Sequence, residues 1–168
     1  MQDAINAVVE LLSTDEKLAI IWPVHLNPVV KDAVMQAHSA ANLRIQARWR
    51  LTQPLHYPVL IDLMRTCDVL LTDSGGVQEE AVARKKPVLI LRNVTERPEV
   101  VQCGLGRLVG TDTRAVVSAT KKILEAKTVQ LFHPFENPFG DGTTGLKTPR
   151  YCAVALRTDQ HDHALHKN

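Results

Sequence analysis

Around residue 74 the sequence reads Leu70-Leu71-Thr72-Asp73-Ser74-Gly75-Gly76-Val77-Gln78-Glu79-Glu80-Ala81, an apolar run that passes through a Ser-Gly-Gly turn into a helix-forming segment. Two glycines let the main chain approach a ligand with no Cβ in the way, and the first amides of a helix lack intrahelical acceptors at the positive end of its dipole. A phosphate or diphosphate fits such a turn. Glu79 and Glu80 are expected in the first helical turn, where they have two readings. Either they are acids that the dipole stabilises anyway, or one accepts hydrogen bonds from a ribose diol beside the phosphates. Ser74 divides the same way, because Ser is a favoured N-cap with or without a ligand.

Two further residues belong to the same chemistry. In Thr95-Glu96-Arg97-Pro98-Glu99, Arg97 stands just before a Pro-started helix. Its guanidinium either closes on phosphate oxygens as a bidentate clamp or pairs in solvent with Glu96 or Glu99. His25, in Pro23-Val24-His25-Leu26-Asn27-Pro28, ends an apolar run, where it either faces a ligand or ties down Asn27.

The elements that must position these groups follow from periodicity. Ile5, Val8, Val9, Leu11 and Leu12 recur at helical spacing, and residues 18–25 form a compact apolar run with the density of a strand. Pro28 opens a helix over residues 29–38, and Leu43-Arg44-Ile45-Gln46-Ala47 alternates as a strand would. A helix over residues 59–66, a strand over 68–72, a helix over 77–84 and a strand over 87–91 continue the pattern. A helix over 98–102, a strand over 107–109 and an amphipathic helix over 113–126 complete it. Strands alternating with helices imply a doubly wound α/β fold around one parallel sheet, Rossmann-like, covered on both faces. Such sheets bind ligands beyond the carboxyl ends of their strands, which selects His25, residues 73–76 and residues 92–97.

Composition narrows the class. Apolar residues make up 45% and charged residues 23% of the 168, as in an ordinary folded domain. The apolar runs at 18–24 and 88–91 are far too short to span a bilayer. A net charge of +2, with Lys and Arg scattered, gives no footprint for nucleic acid. The start, Met1-Gln2-Asp3-Ala4, has no secretion signal, so a cytoplasmic protein is expected. Cys67, Cys103 and Cys152 lack C-x-x-C spacing, and His161, His163 and His166 lack partner ligands. Reduced thiols, no metal and no cofactor are the expectation.

Taken in order, Pro23-Val24-His25-Leu26-Asn27-Pro28, Pro54-Leu55-His56-Tyr57, residues 72–81, Lys86-Pro87-Val88-Leu89 and Arg92-Asn93-Val94-Thr95-Glu96-Arg97-Pro98-Glu99 resemble the bacterial non-hydrolysing UDP-N-acetylglucosamine 2-epimerases. The resemblance continues through Asn137-Pro138-Phe139-Gly140-Asp141-Gly142-Thr143 and so covers about residues 1–144. It implies the C-terminal half of a glycosyltransferase-B type fold, in which UDP or a UDP-N-acetylhexosamine lies in a cleft between two domains. Ser74, Gly75 and Gly76 would hold the diphosphate, Glu80 the ribose, and Arg97 the phosphates. The Pro54-Leu55 loop would lie near the uracil, and His25 near the cleft. The family's reaction loses the C2 proton, eliminates UDP and re-adds it with inverted C2.

Its acid and base carboxylates, and its His-Arg-Arg-Glu-Asn motif, belong upstream of the segment matched here. The expectation is therefore a UDP-binding half, inactive alone, that works with a complementary N-terminal domain or as a homodimer. The alternative is a non-catalytic UDP-sugar binding module or gene remnant. Residues 1–144 are expected to form the domain, and 145–168 a divergent, poorly ordered tail.

Overall fold

In a computed structural model of the chain, residues 1–126, 136–149 and 151–152 are described. They fall in two compact units, residues 1–132 and 133–168. The first unit is the α/β body. Its order is α1 (Gln2–Thr14), β1 (Ile20–Pro23), α2 (Pro28–Ala40), α3 (Leu43–Arg48), β2 (Trp49–Thr52), α4 (Tyr57–Thr66) and β3 (Leu70–Thr72), then α5 (Gly75–Ala83), β4 (Val88–Ile90), α6 (Pro98–Gln102), β5 (Gly106–Leu108) and α7 (Thr113–Glu125).

All strand pairings are parallel. β1 pairs with β2 in register Ile20 to Trp49, while β4 lies between β3 and β5, with Leu71 opposite Leu89 and Leu89 opposite Arg107. The sheet expected as one is thus hydrogen-bonded as two ladders, β1-β2 and β3-β4-β5. Successive strand residues face opposite sides, so a strand buried at every position is covered on both. Val88, Leu89 and Ile90 of β4 are all fully buried.

Helix α1 shows how the sequence builds this body. Ile5, Val8 and Leu12 lie on one stripe and pack with Val34, Ile45 and Trp49 over the first ladder. Ala7 and Leu11 form a neighbouring stripe that meets Val116 and Val117 of α7, with Leu71, Leu91 and Val109 against them. One helix therefore serves both halves of the core, each buried large aliphatic side chain contributing about 1.5–3 kcal/mol. Its carbonyl end is closed by Arg48, whose guanidinium donates to the carbonyls of Leu12, Asp15 and Leu18 at 2.6, 2.7 and 3.0 Å. A cation at the negative end of a helix dipole is favourable; the bonds to Leu12 and Asp15 satisfy carbonyls that the helix leaves open, and the bond to Leu18 holds the segment leading to β1.

One sequence expectation is corrected. Residues 43–47 are helical, and the strand is Trp49–Thr52 instead. The Asn42 side chain caps this short helix by accepting from the Ile45 amide at 3.0 Å. The two-residue alternation of Leu43, Ile45 and Ala47 suits a strand, but the cap and the burial of Ile45 favour one helical turn before the chain enters the ladder.

In the second unit, residues 144–149 and 151–152 are helical. Asp141 closes the turn ahead of them, accepting from the Thr143 amide at 2.9 Å and from its hydroxyl at 2.6 Å. The remainder of the expected tail, residues 153–168, with His161, His163 and His166, lies outside the described residues.

Candidate functional site

The parallel direction of β3 and β4 brings the loops after them, residues 73–74 and 91–97, to one edge. Helix α5 begins at Gly75 with Ser74 as N-cap, its hydroxyl accepting from the Val77 amide at 3.5 Å. That start is two residues earlier than expected, so Glu79 and Glu80 stand beyond the first turn, which holds no acidic residue. The dipole reading of these two carboxylates therefore gives way to specific partners. Glu79 Oε1 accepts from Arg97 Nε, and Glu80 Oε2 from Arg84 Nη1. Glu80 Oε1 also accepts from the Tyr57 hydroxyl at 2.6 Å.

Arg97 is the N-cap residue of α6, and it pairs with neither Glu96 nor Glu99 through their carboxylates. Instead Glu79 takes its Nε, and Nη1 donates to the Glu96 carbonyl at 3.2 Å. Among the described residues no hydrogen bond takes Nη2. That nitrogen and the guanidinium carbon lie 3.9 Å from where a Cβ on Gly75 would stand. The guanidinium is thus held on two sides with its remaining donor toward the glycine turn. The Glu79 carboxylate raises the Arg97 pKa above its ordinary value, so the cation persists at any physiological pH. An N-cap, two glycines, helix-start amides and one steered guanidinium meet at this corner, an arrangement whose chemistry suits an anion.

The other expected residues lie on the loops after β1 and β2. Pro54 is exposed and Leu55 half-buried, in the segment between β2 and α4. Tyr57, the first residue of α4, joins that segment to α5 through Glu80. His25 is tied locally, its Nδ1 accepting from the Asn27 amide at 3.0 Å, while Asn27 caps α2 by accepting from Val29. It also lines a cavity of about 340 Å³ with Lys31, Met35 and Thr52. The Thr52 hydroxyl there is buried without a partner among the described residues. Another cavity, of about 390 Å³ between β5 and α7, includes none of the glycine-turn residues.

Sequence reasoning missed Tyr57, Gln78 and Thr95 as parts of the site, and it did not pair Glu79 with Arg97. Tyr57 stood inside the Pro54-Leu55-His56-Tyr57 motif, which was a usable signal. The buried Gln78, inside an otherwise apolar helix face, was another. Among the described residues no helix is long and apolar enough to cross a membrane, and no cluster of three metal-ligating side chains occurs.

Comparison with known proteins identifies the family. The family model described as UDP-N-acetylglucosamine 2-epimerase matches residues 1–149. The chain is 37% identical over 142 residues to the UDP-N-acetylglucosamine 2-epimerase of Escherichia coli K12, covering 84% of this chain and 36% of the relative. With the enzyme of that name from Bacillus subtilis it shares 36% over 143 residues, again 84% and 36%. The chain therefore spans about a third of the length of these relatives.

Among solved structures it is similar to a Staphylococcus aureus MnaA-UDP co-structure, with TM-score 0.82 and 31% identity, covering 92% of this chain and 40% of the other. It is also similar to the Neisseria meningitidis UDP-GlcNAc 2-epimerase bound to UDP-GlcNAc, with TM-score 0.75 and 30% identity, covering 92% and 41%. These likenesses place the α/β body as one part of a glycosyltransferase-B type fold. With the glycine turn, the steered arginine and a family match over nearly all the described residues, this chain belongs to the UDP-N-acetylglucosamine 2-epimerase family.

Proposed function

We propose that this chain is the nucleotide-binding half of a UDP-N-acetylglucosamine 2-epimerase. The observation that carries the reading is the Nη2 of Arg97, without a hydrogen-bond partner among the described residues and facing Gly75 at the start of α5. In this reading the outward amides of Gly75 and Gly76, with the Ser74 hydroxyl, receive the diphosphate, and Arg97 neutralises it. Glu80 exchanges one of its present partners for the ribose hydroxyls, Pro54 and Leu55 border the uracil, and His25 faces the cleft.

Interconversion of UDP-N-acetylglucosamine and UDP-N-acetylmannosamine proceeds by loss of the C2 proton, elimination of UDP, and re-addition with C2 inverted. Charge builds on the departing diphosphate during elimination. Fixed amide dipoles and a steered guanidinium stabilise that charge without reorganising. Proton removal at C2 needs an acid and a base supplied by a complementary N-terminal domain, with a second copy of the chain as a further candidate partner. The free Cys67 and Cys103 thiols suit a cytoplasmic setting.

Calorimetric titration of the 168-residue chain with UDP tests the binding claim. Arg97→Ala and Glu80→Ala are expected to weaken UDP by about tenfold to a hundredfold, the range for lost charge-assisted hydrogen bonds, with the fold retained. Unchanged affinity in both variants refutes the site. Deuterium exchange at C2 of the bound sugar separates catalysis from the second reading, a UDP-sugar binding module. That second reading is favoured by the engagement of both Glu79 and Glu80 with arginines, which leaves neither as a free base.

A further inference from the structure

The loop from Arg92 to Arg97 carries the guanidinium that the proposed site depends on, yet an arginine on an exposed loop has no fixed direction of its own. What fixes the loop is a hydrogen-bond relay from the inside of α5. Gln78 is only 1% exposed, a buried amide among apolar side chains of that helix. Its Oε1 accepts from the Thr95 hydroxyl at 2.8 Å. The same Thr95 oxygen accepts from the Arg97 amide at 3.1 Å. One hydroxyl thus acts in both directions, donating inward to Gln78 and accepting outward from the backbone of Arg97. The next helix residue, Glu79, then takes Arg97 Nε.

Two consecutive residues of α5 therefore determine Arg97 twice over. Gln78 sets where its main chain stands, and Glu79 sets how its guanidinium turns. We infer that Gln78 and Thr95 are positioning residues for anion binding, which hold Arg97 so that Nη2 reaches the Gly75 corner. The inference rests on the reading of that corner as the diphosphate site.

The relay has a physical logic. A buried amide or hydroxyl that loses its partner bears a desolvation penalty, so the loop cannot leave α5 without leaving Gln78 unsatisfied. The pair thereby ties the anion clamp to the same helix that supplies the anion-binding amides. A ligand's phosphates then meet both parts at a set separation, and the ordering of the loop precedes binding.

The test is a double-mutant cycle in the 168-residue chain, with UDP and uridine as paired probes, since uridine has no phosphate for Arg97 to reach. Thr95→Val keeps the shape of the side chain and removes both bonds, and Gln78→Leu removes the inner acceptor. Each is expected to weaken UDP by about tenfold while leaving uridine within about twofold. Thr95→Ser, which keeps the hydroxyl, is expected to retain wild-type affinity. In an Arg97→Ala background, Thr95→Val should cost less than about twofold more.

Equal losses for UDP and uridine, or a full tenfold further loss in the Arg97→Ala background, overturn the positioning role in favour of a general structural one. An unchanged UDP affinity in Thr95→Val and Gln78→Leu, with Arg97→Ala still weakened, overturns the relay alone. An Arg97→Ala variant that binds UDP normally overturns the relay, and with Glu80→Ala also unchanged it overturns the site as well.

Discussion

The hydroxyl of Tyr57 donates to Glu80 Oε1 at 2.6 Å, across 23 positions of sequence, and so ties the segment that follows β2 to the second turn of α5. Arg84, one helical turn on, holds the other oxygen of the same carboxylate. A carboxylate gripped from two sides is held in a fixed direction.

This contact leaves a titration signature. The hydrogen bond to Glu80 raises the Tyr57 pKa above its ordinary value. A group whose folded-state pKa is raised contributes stability that is present below its unfolded pKa and lost as pH rises through the folded one. Glu80→Gln is therefore expected to lower the phenol midpoint toward that of free tyrosine, read by ultraviolet absorbance of phenolate with Tyr57→Phe as the blank. An unshifted midpoint would show that the two groups do not meet in solution.

Gly75 separates folding from binding. It stands at the first position of α5 with no left-handed φ, and a Cβ there would make ordinary contact with the Arg97 guanidinium at 3.9 Å. Gly75→Ala is expected to leave thermal stability unchanged or raise it by about 0.4–1 kcal/mol, because alanine restricts the unfolded chain. The same methyl group fills the space between the guanidinium and the helix amides, so UDP affinity should fall by about tenfold or more. A loss of stability together with retained UDP binding would contradict this account of the corner.

Acid should act on the second unit at Asp141. Hydrogen bonds from the Thr143 hydroxyl and amide, and then from Lys147, hold its carboxyl down to about 2 from an ordinary 3.8. A lowered folded-state pKa means that its contribution is full above the unfolded value and disappears as pH falls through the folded one. The hydrogen bonds from Thr143 and Lys147 to Asp141 should thus be kept at pH 5 and be lost between about pH 4 and pH 2, weakening the start of the helical segment at 144–149. Carbon-detected NMR titration of the Asp141 carboxyl checks this. A midpoint near 3.8, or insensitivity of the segment to Asp141→Asn, would contradict it.

The local chemistry was legible in the sequence. Amphipathic spacing in α1, the Pro starts of α2 and α6, and the Ser-Gly-Gly entry to α5 all depend on neighbours within a few residues, and the structure places helices there. Leu43-Arg44-Ile45-Gln46-Ala47 was misread because five residues satisfy a two-residue period and a single helical turn about equally well. The Asn42 cap and the pairing of Trp49–Thr52 with β1 decided between them.

The partners of the charged groups were not legible, since charge attracts through space and not along the chain. Arg97 had glutamates one residue before and two after, yet folding gave it Glu79. Glu80 found Tyr57 and Arg84, and Thr95 found Gln78. The residue types fixed what chemistry this chain can perform at the end of its strands. Only the parallel packing of β3 against β4, which sets the loops after them side by side, decided which of those residues act together.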